Sequence, residues 1–258
     1  MQPNSPILSI ITITFNAEKV LERTLQSVAN QTNRAFEYLI IDGKSKDKTL
    51  DLVKKYQSVV THCWSEPDKG IYDAMNKGMQ KAQGEFVWFM NAGDEIHDHQ
   101  AVERLVQAIK STPADVYYSD ALFVNENGEA IGLRSEVTPH RLPAKLTWKS
   151  MQLGMVVCHQ AFVTRRSIAP FYDLHHHYSA DIDWEIKCLK EAHGTVQISP
   201  PLAKYLMGGF SVKNLRKSLW DRFVILNRHF GLLMTLWNHI RIIMRGALFS
   251  IKRKGKYW

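Results

Sequence analysis

The sequence has few cysteines and shows no signal peptide. Its 258 residues include only Cys63, Cys158 and Cys188, which lie far apart and form no Cys-x-x-Cys pair. Neither a zinc site nor a disulfide framework is therefore indicated, and a reducing cytoplasm is the favoured compartment. The first residues contain no basic segment followed by an apolar run, so we expect no secretion signal.

Acidic residues are nearly absent from the C-terminal part of the chain. Residues 213–258 contain eleven Lys and Arg residues against one acid, Asp221, so this segment carries a charge of +10. The whole chain carries +8, and the remainder therefore sums to about −2. This distribution argues against a nucleic-acid surface spread over the whole protein and predicts a tail with its own anionic partner.

The basic tail also lacks a segment long enough to cross a bilayer. Its longest stretch free of Lys, Arg, Asp and Glu runs from His229 to Ile240, which is well short of the roughly 20 residues that a spanning helix needs. Trp237 and aliphatic residues are interleaved with arginines, as in an amphipathic helix that lies in a membrane interface. The alternative is a helical hairpin that packs on its own domain and exposes its arginines to water.

The remaining sequence is that of a folded α/β domain. Hydrophobic residues make up 45% of the chain and charged residues 22%, which excludes a disordered protein. Predicted strands and helices alternate four times before residue 121, so we expect a mostly parallel central sheet flanked by helices. Asn16 is predicted to cap the first helix and Gly84 to end the third. The predicted strands are Ile7 to Phe15, Phe36 to Ile41, Val59 to Trp64, Phe86 to Met90 and Val116 to Ser119.

The pattern changes from Ala121 onward. Two short apolar segments flank residues 125–129 and predict a hairpin. A strand from Cys158 to Thr164 and a helix from Asp181 to Ala192 are predicted next. Two short strands, Thr195 to Ser199 and Leu202 to Leu206, precede a glycine pair. We therefore divide the chain into an α/β domain over residues 1–211 and a basic, amphipathic helical tail over residues 212–258.

Polar residues recur directly after successive predicted strands. They are Asn16, Asp42, Asp68, Asp94 and Asp120. The carboxyl ends of parallel strands meet at one edge of a sheet, where ligands of α/β proteins bind. Acids crowded at such an edge repel one another, and a divalent cation with a diphosphate would supply the positive partner. Each residue alone is also a common turn former or helix cap, so the recurrence is what indicates a site.

Four segments resemble the bacterial glycosyltransferases of family 2. These segments are Ser9 to Asn16, Ile41-Asp42-Gly43-x-Ser45-x-Asp47-x-Thr49, Ser65 to Gly78 and Asn91-Ala92-Gly93-Asp94. The likeness is closest to enzymes that build colanic acid and similar surface polysaccharides, and the block from Glu66 to Gly78 is its most specific part. The resemblance implies a GT-A fold, with a nucleotide-sugar half over about residues 1–120 and an acceptor half over about residues 121–211.

The first half of the resemblance implies a nucleotide-sugar donor, usually a UDP-sugar. Thr14, Phe15 and Asn16 match the segment that cradles the nucleoside. Asp42 matches the acid that pairs with the uracil edge, and Asp68 matches a further acid on the donor side. These five residues are therefore expected to bind the donor.

The same resemblance implies a bound Mn²⁺ or Mg²⁺. Asp94 matches the last acid of the family's DXD motif, which is the metal ligand at the diphosphate. Asn91 stands where many relatives carry the first acid of that motif, so we expect Asn91 at the substrate and a modest metal affinity. Lys44 and Lys48 replace the usual Ser and Gly, which leaves the base specificity open.

The second half resembles the acceptor-binding part of the family. Ala180-Asp181-Ile182-Asp183-Trp184 matches the segment that holds the catalytic base, which points to Asp181, with Asp183 as the alternative. His159 and Gln160 match the pair that lines the acceptor side. Gly208-Gly209-Phe210-Ser211 matches a loop that closes over the donor, so Gly209 is expected to bind it. Without the resemblance, Asp181 would be interpreted as a helix N-cap.

Three consecutive histidines, His175, His176 and His177, also suggest a metal cluster. Consecutive side chains of a regular element cannot all point at one ion, because their directions differ from residue to residue. We therefore predict that these histidines form a solvated or acceptor-facing loop.

The predicted activity is that of an inverting glycosyltransferase at the cytoplasmic face of the bacterial inner membrane. A carboxylate would take the proton of an acceptor hydroxyl, and a cation would neutralise the departing diphosphate. The expected partners are a lipid-linked glycan acceptor and the membrane surface, but no nucleic acid.

Two other classes of protein are alternatives. A sugar nucleotidyltransferase needs a Gly-rich basic loop after the first strand, where Thr14-Phe15-Asn16-Ala17 stands instead. A non-enzymatic membrane or nucleic-acid binding module would leave the recurring acids unexplained.

Overall fold

The computed structural model describes residues 6–209 and 214–252. Within these residues the strands are β1 (Leu8–Thr14), β2 (Phe36–Asp42), β3 (His62–Ser65), β4 (Phe86–Phe89), β5 (Glu95–Ile96), β6 (Val116–Tyr118), β7 (Ala121–Val124), β8 (Ala130–Leu133), β9 (Phe162–Arg165), β10 (Thr195–Gln197) and β11 (Ala203–Leu206). The α-helices are α1 (Leu21–Ala29), α2 (Thr49–Lys55), α3 (Ile71–Lys81), α4 (Ala101–Ser111), α5 (Arg134–Val137), α6 (Ala180–Glu191), α7 (Leu215–Phe230) and α8 (Leu232–Lys252).

The main sheet has the strand order β10-β6-β9-β4-β1-β2-β3. β9 runs antiparallel to both of its neighbours, and the other neighbouring pairs are parallel. The predicted mostly parallel central sheet, flanked by helices, is therefore confirmed. Because β1, β2, β3, β4 and β6 point the same way, their carboxyl ends share one edge of the sheet.

The central strands are apolar because both of their faces are covered. All seven residues of β1 are buried, and Trp88 on β4 is completely buried. Gly84 precedes β4 at a point where the chain passes very close to β1. A Cβ atom at this position would lie 2.5 Å from the backbone nitrogen of Ser9. α3 already ends at Lys81, so Gly84 does not end the helix as predicted but permits this close approach.

A smaller sheet with the order β5-β11-β7-β8 covers the second part of the domain. β7 and β8 form the hairpin predicted around residues 125–129. β11 pairs with β7 in parallel and with β5 in antiparallel orientation. Since β5 begins directly after Asp94, this pairing brings β11 next to the carboxyl end of β4.

The strand predicted from Cys158 is shorter in the structure. One 3-10 turn occupies His159–Ala161, and β9 begins only at Phe162. The change of geometry turns the side chain of Gln160 toward the sheet edge, where it contacts Asp94.

The described part of the tail forms two helices, α7 and α8, that pack on the domain through one face and expose apolar side chains on the other. Ile225 and Leu226 of α7 are buried, and Phe230 stacks on Trp148 with a centroid distance of 5.4 Å. No helix in the described part of the chain is both long and apolar enough to cross a membrane. The most exposed apolar residues of α8 are Leu233 (84%), Ile251 (74%), Ile243 (70%) and Trp237 (60%).

Candidate active site

The edge formed by the carboxyl ends of β1 and β2 brings together three of the predicted donor-binding residues. A Cβ atom on Gly43 would lie 2.4 Å from Asp68 Oδ2 and 3.2 Å from Phe15 Cδ2, so both side chains lie against this glycine. The Gly43 N–H donates to the Thr14 carbonyl at 2.9 Å. The ring of Phe15 is 63% exposed, which leaves an apolar face open beside Asp68.

The motif after β2 fixes the backbone that follows β1. Three successive N–H groups, those of residues 16, 17 and 18, donate to Ser45 Oγ at 2.8 Å, Thr49 Oγ1 at 2.8 Å and Asp47 Oδ2 at 3.1 Å. These serine, aspartate and threonine side chains therefore hold the loop after β1 in place. Their regular spacing has a structural role in this chain.

Asn16 does not cap α1, because that helix begins only at Leu21. Its φ angle of 47° is in the left-handed region, which asparagine tolerates better than most residues. The Asn16 side-chain oxygen accepts the Lys46 N–H at 2.9 Å. Asn16 thus joins the loops that follow β1 and β2.

Asp42 lies at the same edge but is completely buried. Its carboxylate accepts hydrogen bonds from the Ser45 N–H at 2.9 Å and from the hydroxyls of Ser45 and Ser65. A carboxylate can accept about four hydrogen bonds, so these contacts leave some capacity for a further donor. Its predicted contact with a base edge stays a prediction.

Asp94 is held in a buried turn at the end of β4. The Asp94 N–H donates to the Asn91 carbonyl at 3.0 Å, and Thr24 Oγ1 donates to the Asp94 carbonyl at 2.7 Å. Its carboxylate accepts Gln160 Nε2 at 2.7 Å and the Leu206 N–H at 2.9 Å. Burial raises the pKa of Asp94 to about 7, although these two hydrogen bonds oppose the increase.

The residues near Asp94 fit a cation that is shared with a substrate. The side-chain oxygen of Asn91 is buried and has no hydrogen-bond partner within the described part of the chain. No group of three or more His, Cys, Asp or Glu residues in that part could hold a metal ion. One carboxylate and one amide oxygen match the way Mg²⁺ and Mn²⁺ bind through few protein ligands together with phosphates.

Asp181 lies in the first turn of α6 and is half-buried. The Tyr72 hydroxyl donates to Asp181 Oδ1 at 3.3 Å. Burial raises the pKa of Asp181 above its ordinary value, and the positive charge of Arg222 on α7 opposes this increase. A carboxylate with a raised pKa is a better proton acceptor than an exposed one.

Asp94 and Asp181 lie on the same side of the molecule, at Tyr205 of β11. Burial raises the pKa of Tyr205 first, and the negative charges of both aspartates raise it further. Both carboxylates are therefore within electrostatic range of one phenol group. A Cβ atom on Gly209 would lie 3.0 Å from the Tyr205 hydroxyl, which places this predicted donor-binding residue at the same point. Phe210 and Ser211 lie outside the described residues.

Asp183 points away from this cluster, since residues two positions apart on a helix do not share a face. It is 1% exposed, and its carboxylate lies 2.7 Å from His229 Nε2 and 2.6 Å from Lys187 Nζ. Burial raises its pKa, but these two partners outweigh burial and lower the pKa below the ordinary value. Asp183 therefore connects α6 to α7 and has no open face toward a substrate.

The structure places His159 and Gln160 differently from the sequence-based expectation of an acceptor-lining pair. His159 is 4% exposed, packs against Phe89 and Trp184, and its Nε2 lies 2.9 Å from the Tyr172 hydroxyl. Burial lowers the pKa of His159 to about 3, so this ring is neutral at physiological pH. Gln160 binds Asp94 and belongs to the predicted donor side.

The three histidines before α6 are also separated from one another. His175 is exposed, and its Nδ1 lies 2.8 Å from Asp173 Oδ1. His176 is buried, with its Nδ1 2.6 Å from Asp221 Oδ1. The described residues contain no metal cluster here. His176 departs from the predicted solvated loop because it anchors α7 through Asp221.

Sequence reasoning missed Tyr72, Tyr205 and Arg222. Tyr72 lies within the most specific motif block, so its position was a usable signal. Tyr205 lies in a short strand with no motif around it. Arg222 was counted only as part of the basic tail. Its Nε is buried without a hydrogen-bond partner in the described part of the chain, and its charge acts on both Asp181 and Tyr205.

Comparison with protein families gives one match over more than half of the chain. The model of the family described as "Glycosyl transferase family 2" matches residues 9–169. The "PGL/p-HBAD biosynthesis glycosyltransferase" of Mycobacterium bovis is 32% identical over 197 residues, which are 71% of this chain and 70% of that protein. The "Putative teichuronic acid biosynthesis glycosyltransferase TuaG" of Bacillus subtilis is 32% identical over 93 residues, or 35% of this chain and 37% of that protein.

Known structures share the fold at low sequence identity. TarS 1-349 of S. aureus in complex with UDP-GlcNAc superposes with a TM-score of 0.66 and 19% identity, over 84% of this chain and 65% of that chain. This chain thus spans slightly less than two thirds of that structure. A second similar structure is glucosyl-3-phosphoglycerate synthase of Mycobacterium tuberculosis in complex with Mn²⁺, UDP and glucosyl-3-phosphoglycerate. It superposes with a TM-score of 0.56 and 15% identity, over 86% of this chain and 80% of that chain. These likenesses show a GT-A fold.

Proposed function

This chain belongs to glycosyl transferase family 2. From that premise we propose that it is a metal-assisted, inverting enzyme. It would transfer a sugar from a UDP-sugar to a hydroxyl of a lipid-linked glycan. The observation that carries the proposal is that Asp94 and Asp181 both act electrostatically on the same phenol group, that of Tyr205. An inverting transfer needs a group that holds the diphosphate and a separate group that takes a proton. The two carboxylates are suited to these two tasks.

The donor would lie along the edge formed by β1, β2 and β4. Phe15 offers an exposed apolar face to the nucleoside, beside Asp68 and Gly43. Asp94 and Asn91 would hold a divalent cation together with the donor diphosphate, as the unpartnered Asn91 oxygen suggests. When bound, that cation neutralises charge on the departing diphosphate. TarS and the mycobacterial synthase, which bind UDP-GlcNAc and UDP with Mn²⁺ respectively, support a uridine donor.

Asp181 would accept the proton of the acceptor hydroxyl. Burial makes it a stronger base, and the Tyr72 hydroxyl orients its Oδ1. The hydroxyl attacks the anomeric carbon from the face opposite the diphosphate, so one displacement inverts that centre. Arg222 keeps a positive charge near the base and favours its ionised form.

We further propose that the tail holds the enzyme at the cytoplasmic face of the membrane. The outward face of α8 exposes Leu233, Trp237, Ile243 and Ile251, and basic residues occur along the same helix. An amphipathic helix of this kind binds an interface through apolar burial and attraction to anionic lipids. Such an anchor would place the active site near a lipid-linked acceptor of surface polysaccharide synthesis.

The proposal is tested with a panel of nucleotide-sugars, scored for Mn²⁺-dependent thermal stabilisation and for transfer or hydrolysis. Asp94→Ala should lose Mn²⁺-dependent stabilisation by the donor, because it removes the only carboxylate proposed to hold the cation. Asp181→Asn should keep donor binding and lose transfer by about 10²- to 10⁴-fold, the usual contribution of a general base.

Asp183→Asn is the matched control on the same helix. It should lower thermal stability through the lost contacts to His229 and Lys187, but keep donor binding and transfer. Equal donor binding by wild type and Asp94→Ala would refute the cation site. Loss of transfer in Asp183→Asn with full activity in Asp181→Asn would reverse the choice of base.

A further inference from the structure

A basic cavity lies between the loop that precedes α6 and the first two turns of α7. Its volume is about 430 Å³. The cavity is open to solvent and Asp221 forms part of its wall. The other lining residues are His175, His177, Tyr178, Arg216, Lys217 and Trp220.

The one acid among the described lining residues, Asp221, already has hydrogen-bond partners. Asp221 Oδ1 lies 2.6 Å from His176 Nδ1, and its Oδ2 accepts the N–H groups of Tyr178 and Ser179 at 3.0 Å each. Asp221 therefore serves to fasten α7 to the loop before α6. The positive charge that faces the cavity comes from Arg216 and Lys217.

Arg216 and Lys217 have no acidic partner within the described part of the chain. Lys217 Nζ lies 5.7 Å from the centroid of the Tyr178 ring, so the aromatic face holds the ammonium group at the cavity wall. Two adjacent, unpaired cations at one concave surface favour an anion with several oxygen atoms, such as a phosphate.

The cavity is close to the proposed catalytic base. Tyr178, on its wall, precedes Asp181 by three residues, which is at most about 11 Å of fully extended chain. The Ser179 and Ser218 hydroxyls lie 3.1 Å apart and fix the two elements to each other. A ligand in the cavity would therefore sit next to the acceptor side of the site.

Trp220 lines the cavity, and further exposed apolar side chains lie on the same helix. Leu215, Leu219 and Trp220 of α7 are 56%, 52% and 69% exposed. A basic pocket beside an exposed apolar face matches an amphiphile, in which a phosphate is joined to a long hydrocarbon chain. Inorganic phosphate would use only the first of these two features.

We propose that this cavity binds the phosphate head of a lipid-linked acceptor, with the hydrocarbon chain lying on the apolar face of α7. The inference rests on the proposed function and names the acceptor subsite of the same reaction. It gives α7 a direct part in substrate binding, whereas α8 provides the membrane contact. The phosphate in the cavity would direct the acceptor sugar toward Asp181.

A second basic cavity supplies a matched control. It has a volume of about 470 Å³, and its lining includes Arg241 and Lys252 of α8. None of its described lining residues belongs to α6 or to the loop before it. A double variant at each cavity removes the same charge from the same tail, so the two variants separate a specific site from general attraction.

The experiment measures binding of farnesyl diphosphate to the full chain by titration calorimetry, with saturating UDP and Mn²⁺ to fill the donor site. Farnesol and inorganic diphosphate are the comparison probes. Arg216→Gln/Lys217→Gln should weaken farnesyl diphosphate binding by about tenfold or more, since two charge-assisted contacts are lost. Arg241→Gln/Lys252→Gln should change it less than about twofold, as expected for distant exposed charges.

Several results would overturn the inference. One is that Arg216→Gln/Lys217→Gln binds farnesyl diphosphate as tightly as wild type does. Another is that both double variants weaken this binding equally. A third is that wild type binds farnesol or inorganic diphosphate as tightly as it binds farnesyl diphosphate. UDP binding to wild type is measured first, in a separate titration with Mn²⁺ and without farnesyl diphosphate. If UDP fails to bind, the proposed function is refuted; if UDP binds and the cavity variants behave alike, only the acceptor subsite is refuted.

Discussion

Four aspartates of this chain have the same side chain and very different surroundings. Asp42 is buried under hydrogen bonds from two serines, and Asp183 is paired with a lysine and a histidine. Asp94 is buried with two neutral donors only, and Asp181 has one tyrosine donor and a nearby arginine. Burial leaves the Asp94 anion poorly compensated by its two neutral hydrogen-bond donors, so Asp94 retains capacity for a cation or a proton.

The pH dependence of stability should reveal the uncompensated burial of Asp94. Burial raises its folded pKa from 3.8 to about 7, so between these values the folded chain holds a proton that the unfolded chain has released. The free energy of unfolding contributed by Asp94 therefore falls as pH rises through this window. Relative to Asp94→Asn, the metal-free wild type should lose about 2 kcal/mol between pH 5.5 and 7.5, measured by urea unfolding.

Asp51→Asn is the control for this measurement, because it removes an exposed carboxylate from α2. Its unfolding free energy should follow that of wild type at every pH. A constant difference between wild type and Asp94→Asn across the range would show that Asp94 is not buried as an uncompensated acid.

At the scale of elements, α6 and α7 are joined by several polar contacts. α6 directs Asp181 to the site and Asp183 to His229 on α7. α7 in turn places Arg222 near Asp181, while Asp221 caps the chain just before α6. The tail helix therefore contributes to the electrostatics of the proposed base, although the tail was expected to serve only as an anchor or a surface hairpin.

Removal of the Arg222 charge should change the pH profile of transfer. Arg222 lowers the pKa of Asp181, so Arg222→Gln should raise that pKa and move the acidic limb of kcat/KM to higher pH. The activity at low pH should fall more than the activity at high pH, and Arg222→Lys should restore most of the wild-type profile. The measurement is the pH dependence of kcat/KM with the preferred donor.

Arg228→Gln is the matched control on the same helix, where Arg228 Nη1 lies 2.9 Å from Asp173 Oδ2. It removes one positive charge from α7 and should leave the pH profile unchanged. A profile for Arg222→Gln that coincides with that of wild type would exclude an electrostatic role for this arginine.

At the scale of the whole molecule, α7 and α8 have one face that packs on the domain and one apolar face that is exposed to water. One face of the tail packs on the domain, as Ile225, Leu226 and Phe230 show. The other face leaves large apolar side chains in contact with water, which marks an interaction surface. The packed face agrees with the alternative of a helical hairpin on the domain, and binding of the exposed face to a membrane stays a prediction.

Vesicle binding by the full chain should depend on the outward face of α8. Leu233→Ser/Trp237→Ser removes two exposed apolar side chains, each worth about 1.5–3 kcal/mol when fully buried in an apolar environment. The partition coefficient for vesicles that contain anionic lipid should fall by about tenfold or more, measured by sedimentation.

Ile131→Ser, in β8 of the hairpin, is the control for loss of an exposed aliphatic residue, since Ile131 is 46% exposed. It should sediment with vesicles as wild type does. Unchanged partition of the α8 variant would show that this face meets a different partner.

The sequence by itself determined the order of strands and helices in the first half and the residues that follow the strand ends. Fully apolar strands such as β1 and β4 are recognisable because both faces of a central parallel sheet are buried. Asp94 was predictable for the same reason, since a turn with a carboxylate directly after such a strand must lie at the sheet edge.

Only the tertiary structure decided which of these residues face one another. Gln160, Tyr205 and Arg222 come from segments that are distant in the sequence, and no local pattern predicts that they surround Asp94 and Asp181. The burial of His159 and the pairing of Asp183 with α7 were hidden for the same reason. Periodicity reports which side of an element is apolar, whereas the partner of a polar side chain depends on how distant elements pack.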